Sequence, residues 1–168
     1  MPKSVYWDAC VFHALFGSEK GRVDACMRIE KAAQAGDVRI YTSAATFVEC
    51  VWVKTITDPT GKLNKLSPEH EQILSEYFER SYIIPINCDR NIAEAARKLL
   101  WKHSRLKPKD AIHLASAIAQ QVDFMHSYDN DDLVKLDGTL GLPIKICVPG
   151  NGDGFGPQPT QSELNPST

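Results

Sequence analysis

Four carboxylates, Asp8, Glu49, Asp110 and Asp129, stand in or beside apolar stretches, where an ionised acid is costly unless it is paired or bound to a metal. Asp8 closes the β-prone run Val5-Tyr6-Trp7, and Glu49 interrupts Phe47-Val48 and Cys50-Val51-Trp52. Asp110 falls in the first turn of a helix opened by Pro108, and Asp129 lies within Ser127-Tyr128-Asp129-Asn130-Asp131-Asp132. Singly, each has an ordinary reading. Asp8 suits a helix N-cap, Glu49 a solvated position, Asp110 a residue complementing the helix dipole, and Asp129 a solvated turn. Gathered at one edge of a sheet they would repel one another and raise each other's pKa. A divalent cation removes that conflict, and oxygen ligands with retained water suit Mg²⁺ or Mn²⁺. No His or Cys set has zinc spacing. Such a site acts on phosphate oxygens, through metal-bound water.

The pattern of elements would bring these acids together. Strands are expected at Val5–Trp7, Val38–Tyr41, Tyr82–Ile86, Asp123–His126 and Ile144–Val148. Helices are expected from Cys10 to Phe16, from Val23 to Ala35 with Gly36 as the stop, and from Thr42 or Ser43 to about Thr55. The last of these is apolar nearly all round and should be deeply packed. Further helices start at Ser67-Pro68, with Ile73, Leu74, Tyr77 and Phe78 on one face, at Asp89 and at Pro108. Pro85 suggests that its strand lies at an edge. Strands alternating with helices indicate a mainly parallel sheet covered on both faces, an α/β/α sandwich with sites at the carboxyl ends of the strands.

The chain has 168 residues, 43% hydrophobic and 24% charged, with a net charge of −2. That fits one domain, here 1–149, followed by a polar tail at 150–168 that should be disordered. Near-neutral charge means that any nucleic-acid contact must come from a local patch. Such a patch exists before Asp110: Lys98, Lys102, Arg105, Lys107 and Lys109 could form a phosphate track, with Lys54 as another candidate, or be a plain solvated helix end. Cys10, Cys26, Cys50, Cys88 and Cys147 mostly sit in apolar runs and read as buried thiols of a reducing compartment. No signal peptide or membrane span is evident, so a cytoplasmic protein is expected.

The stretches Tyr6-Trp7-Asp8-Ala9-Cys10, Phe47-Val48-Glu49, Lys107-Pro108-Lys109-Asp110-Ala111-Ile112-His113-Leu114-Ala115 and Ser127-Tyr128-Asp129-Asn130-Asp131-Asp132-Leu133 resemble the four acidic motifs of PIN domains, and most nearly those of VapC-like toxin ribonucleases. The resemblance runs from about Val5 to Pro149. It implies an α/β/α sandwich and a Mg²⁺- or Mn²⁺-dependent ribonuclease acting on single-stranded RNA, often a homodimer and often held by an antitoxin protein. By that likeness Asp8, Glu49, Asp110 and Asp129 are the catalytic acids and metal ligands, with Asp131 as an extra ligand. Ser127 stands where the family often has Thr, and the polar stretch from Asp58 to Leu66 is longer than in many members.

Two other readings are open. A PIN-like RNA- or protein-binding module without catalysis would be expected to lose some of the acids, and all four are present. A phosphoaspartyl enzyme with Asp8 as nucleophile would be expected to carry a second acid two residues on, where this chain has Cys10.

Overall fold

The structure, a computed structural model, describes residues 1–51, 68–139 and 141–156. The elements are β1 (Lys3–Trp7), α1 (Ala9–Phe16), α2 (Val23–Gln34), β2 (Val38–Ser43), α3 (Ala45–Glu49), α4 (Pro68–Phe78), β3 (Ile83–Ile86), α5 (Arg90–Lys102), α6 (Pro108–Ala119), β4 (Phe124–His126) and β5 (Lys145–Cys147). A 3-10 turn, Val134–Leu136, lies between β4 and β5. The sheet has the order β3-β2-β1-β4-β5, and every pairing is parallel. This is the expected α/β/α sandwich, with the Pro85 strand at an edge.

Alternation along β1 builds both cores. Val5 and Trp7 pack with Phe12, Ile29 and Ile40 on one face. Tyr6 points to the other, with Ile92, Leu114, Met125 and Ile146. Successive strand residues face opposite sides, so one strand serves two layers. The chain leaves β1 towards β2 and β3 on one side, and β4 and β5 lie on the other. The carboxyl end of β1 is therefore the point where strand order reverses, the usual crevice of such sheets.

Local chemistry sets the helix starts. The side chains of Asp8 and Asp89 accept from the amides of Val11 and Ile92, at 3.2 and 3.0 Å, and so cap α1 and α5. Pro108 occupies the first turn of α6, where no amide donor is needed. Gly36 follows α2 with φ +84, a left-handed residue that closes the helix end.

Three expectations need correction. The helix after β2 is only five residues, Ala45–Glu49, and its apolar residues are not all packed. Val48 is 76% exposed, and Phe47 and Val51 are each 40% exposed; the expected continuation to Thr55, with Lys54, lies outside the described residues. On α4, Leu74 and Tyr77 are buried but Ile73 points outward, and Ser67 with the 58–66 stretch also lies outside the description. Finally, packing does not end at Pro149. Asp153 is buried, its carboxylate accepting from the amides of Gly150 and Phe155 at 2.7 and 2.8 Å. Arg28 donates to the Phe155 carbonyl at 3.0 Å. Residues 150–156 thus form a strap against β4 and α2, and only 157–168 of the expected tail lie beyond the described chain.

The strap is locked by His126. Trp7 Nε1–H donates to His126 Nδ1 at 3.1 Å, which leaves the ring proton on Nε2, 2.9 Å from Asp153 Oδ2 and off the ideal line. With the Cys147 thiol these atoms lie close enough together to hold a metal ion. A cation on Nε2 would force the proton onto Nδ1, where the Trp7 N–H already points, so the group is a hydrogen-bonded clamp. Burial opposes ionisation of Asp153, but His126 and the two amides outweigh it and hold the carboxyl at about 2, below its ordinary 3.8. A depressed acid stabilises the fold above its ordinary pKa, and loses that contribution as pH falls through the depressed one. Asp153→Ala should therefore cost about 2 kcal/mol at pH 7. Its deficit against the wild type should shrink as pH falls from about 4 towards 2. Urea melts over that range check this, and a deficit that stayed constant with pH would contradict it.

Candidate active site

Asp8, Glu49, Asp110 and Asp129 line one small cleft, with Ala9, Cys10, Lys109 and His113. Each acid reaches it from a different crossover. Asp8 directly follows β1, Glu49 ends α3 after β2, Asp110 lies in the first turn of α6, and Asp129 sits on the loop after β4. The cleft volume is about 40 Å³, room for a cation or a water but not for a nucleotide. A substrate must therefore lie across its mouth.

Asp8 is buried, and its Oδ1 accepts from the Cys10 thiol at 2.7 Å as well as from the Val11 amide. Capping α1 thus fixes the rotamer of a cleft acid. Burial, reinforced by Asp8, pushes the Cys10 thiol well above its usual range, so it stays a thiol and a donor. Asp129 is fixed through its loop: its Oδ1 accepts from the amides of Asp131 and Asp132 at 3.2 and 2.9 Å, and its own amide donates to Ser127 Oγ at 2.9 Å.

Glu49 is held on three sides. Its Oε2 lies 2.6 Å from His113 Nε2, and its Oε1 lies 3.3 Å from Lys109 Nζ. His13 Nε2 meets its backbone carbonyl at 3.1 Å. The other ring nitrogen of His113, Nδ1, is 2.7 Å from the hydroxyl of Tyr6. With the Tyr6 hydroxyl donating to Nδ1, Nε2 carries the proton and donates to Glu49. Burial works against ionisation of Glu49, yet the contacts of His113 and Lys109 prevail and lower its pKa.

Asp110 has no such support. It is buried, and its Oδ2 has no hydrogen-bond partner. Burial raises its pKa, and the charge of Asp129 adds to this against a partial offset from Lys109. Carboxylate oxygens of Asp110, Asp129 and Asp132 lie within 4.8 Å of one another. A buried, orphaned carboxylate oxygen facing two more acids fits a divalent cation bound through oxygen. Asp131, the extra ligand expected from sequence, is elsewhere: its side chain is exposed and pairs with Lys135 at 2.9 Å. Its neighbour Asp132 lies beside Asp110 and Asp129 instead, and Lys107 pairs with it.

Of the expected substrate residues, Ser127 is buried behind Asp129, Lys107 and Lys109 stand at the rim on Asp132 and Glu49, and Arg105 is exposed on the loop before α6. In the sequence His113, like His13, suits either proton transfer or local packing; its contact with Glu49 is a finding of the structure. Its signal was the spacing: His113 lies three residues after Asp110, so both share one face of α6.

A small parallel α/β domain with an acidic cleft at its switch point is the class that fold and site define. A family model for the PIN domain matches residues 5–138, and the chain belongs to that family. No curated protein matches the sequence. Among solved structures, the fold is similar to a toxin-antitoxin complex from Klebsiella pneumoniae, with 21% identity, a TM-score of 0.55, and coverage of 86% of this chain and 97% of that one. It is also similar to the Mycobacterium tuberculosis toxin VapC20, which cleaves the sarcin-ricin loop, with 14% identity, a TM-score of 0.56, and coverage of 76% and 91%. VapBC2 from Rickettsia felis, bound to a DNA fragment from its promoter, gives 10% identity, a TM-score of 0.58, and coverage of 86% and 98%.

Asp110→Asn tests the electrostatic account. A raised acid pKa means that the ionised form costs stability above the ordinary value, and that the cost fades as pH falls. In EDTA at pH 7 the variant should match or exceed the wild type in thermal stability, with the difference vanishing in mild acid. A residue that only complemented the helix dipole would instead lose about 0.3–1 kcal/mol.

Proposed function

We propose that this PIN domain is a Mg²⁺- or Mn²⁺-dependent endoribonuclease that hydrolyses phosphodiester bonds of single-stranded RNA. The observation that carries the proposal is the orphaned, buried Oδ2 of Asp110 beside Asp129 and Asp132. Such an arrangement is costly in isolation and suits a cation that takes oxygen ligands. Asp8, Glu49, Asp110 and Asp129 would hold that cation, with Asp132 rather than Asp131 beside them. When bound, it polarises the phosphate and lowers the pKa of the attacking water.

The chain's own residues do the positioning. Asp8 is pinned by its capping role, and Asp129 by Ser127 and its own loop amides. His113, with its tautomer set by Tyr6, keeps the Glu49 carboxylate turned into the cleft. Lys109 and Lys107 neutralise acids at the rim while no substrate is present, and both can turn to a phosphate oxygen when RNA lies across the mouth. A phosphoaspartyl reaction at Asp8 is disfavoured, because the position two residues on holds Cys10 rather than a second acid. A binding module without catalysis is disfavoured by the assembly of all four acids.

The likeness to toxin-antitoxin structures supports a narrower reading. In it the protein is the toxin of such a pair, restrained by an antitoxin protein, and works as a cytoplasmic homodimer. Expression of the wild type should arrest growth, and Asp8→Asn should not. Equal growth of the two would count against the toxin role.

Purified protein should cleave single-stranded RNA with Mn²⁺ or Mg²⁺ and stop in EDTA. Cleavage that persists unchanged in EDTA would end the proposal. His113→Leu should weaken Mn²⁺ binding by about 10- to 100-fold, since removing a group that orients a metal-ligating carboxylate has that effect. Titration calorimetry measures it, and unaltered Mn²⁺ affinity would remove His113 from the machinery.

A further inference from the structure

Trp101, on the last turn of α5, is 74% exposed. The guanidinium of Arg97, one turn earlier, lies 5.1 Å from the centroid of its ring. That contact braces the indole through a cation–π interaction and leaves most of the ring bare. Lys98, Lys102 and Arg105 are exposed around it, and among the described residues none of them is in an ion pair. From 97 to 109 the chain carries six of its 19 Lys and Arg residues and no Asp or Glu. In a protein of net charge −2, that concentration is a local cationic surface with one aromatic at its centre.

This surface adjoins the cleft. Asp89, Asn91 and Ile92 at the start of α5 share a cavity wall with Ala119 and Gln120 at the end of α6. The two helices are therefore antiparallel, and the last turn of α5 lies beside the first turn of α6, which carries Lys109 and Asp110. Residues 103–107 join them and can span at most roughly 20 Å. A turn, with the Leu106 amide donating to His103 O at 3.0 Å, shortens that reach. Lys107 and Lys109, at the cleft rim, continue the cationic strip from Trp101 to the acids.

We propose that Trp101 is a base-stacking subsite for single-stranded RNA, with Arg97, Lys98, Lys102 and Arg105 holding the phosphates on either side. The inference rests on the ribonuclease reading and extends it, because the cleft itself is too small to bind a nucleotide. Single-strand binders combine a cationic track with an exposed aromatic, which accepts any base because every base has a π face. A second copy of this chain fits the surface poorly. A two-fold contact centred on Trp101 would set these cations against their own copies.

The test uses full-length protein with Asp8→Asn, so that cleavage does not consume the probe, and a fluorescein-labelled single-stranded RNA oligonucleotide read by anisotropy. Adding Trp101→Ala should raise Kd by about 5- to 150-fold, the equivalent of one stacked base, and Trp101→Phe should restore most of the affinity. The slope of log K against log salt should stay constant in Trp101→Ala, but fall by about 0.7 for each of Lys98→Ala and Lys102→Ala. An unchanged Kd in Trp101→Ala overturns the subsite. So does a Trp101→Ala protein that binds RNA normally but changes its mass in light scattering, which would make the face a protein contact. A parent that binds no RNA at all overturns the ribonuclease reading, and this inference with it.

Discussion

Crowding of negative charge at the carboxyl end of a parallel sheet is the constraint around which this molecule is arranged. Asp8, Asp110 and Asp129 come from three different crossovers, and two of them are almost fully buried. Each would be less costly in water. The fold tolerates them because the surroundings divide the load unequally. Asp8 and Asp129 are satisfied by local amides, a thiol and a capping role, and Glu49 by His113 and Lys109. Asp110 is left with an unpartnered oxygen and a raised pKa. The unpaid part of the electrostatic cost is thus concentrated on one atom, where a cation would have most to gain.

The first turns of α6 organise the rest. Lys109, Asp110 and His113 lie within five residues, and they supply a rim cation, a cleft acid and the hydrogen bond that orients Glu49. Pro108 sets where that helix begins, so a backbone constraint fixes the phase of all three side chains. Tyr6 reaches His113 from β1, joining the central strand to the helix through a buried hydrogen bond. Asp8, two residues after Tyr6, caps α1. One short stretch of chain therefore sets the geometry on both faces of the sheet.

On the opposite face, the Trp7–His126–Asp153 clamp ties the 150–156 strap to β4. Its composition resembles a metal site, but its proton arrangement differs from one. An indole N–H aimed at Nδ1 commits the ring to donate from Nε2. The acidic cleft has no comparable donor aimed at Asp110. That contrast separates two clusters that look alike as lists of residue types.

The alternation of strands and helices, the caps at Asp8 and Asp89, the proline start of α6 and the edge position of the Pro85 strand were all legible in the sequence, because each depends on backbone rules that act over a few residues. Asp8 and Glu49 were legible as well, since a carboxylate in an apolar run is a local anomaly, whereas Asp110 and Asp129 stood out only through their resemblance to the acidic motifs. Tertiary structure decided what depends on distant partners. Asp132 rather than Asp131 faces Asp110, because the turn after β4 sends adjacent side chains in opposite directions. The apolar run after β2 yields a helix of only five residues with Val48 exposed, since hydrophobic composition says what can be buried and not what neighbours are present to bury it. His113 became a partner of Glu49 only when α6 packed against β2, the strand that leads into α3. The strap at 150–156, polar and rich in glycine, is held by a buried His126–Asp153 contact whose partners are 27 residues apart in sequence, a distance at which composition carries no information about contact.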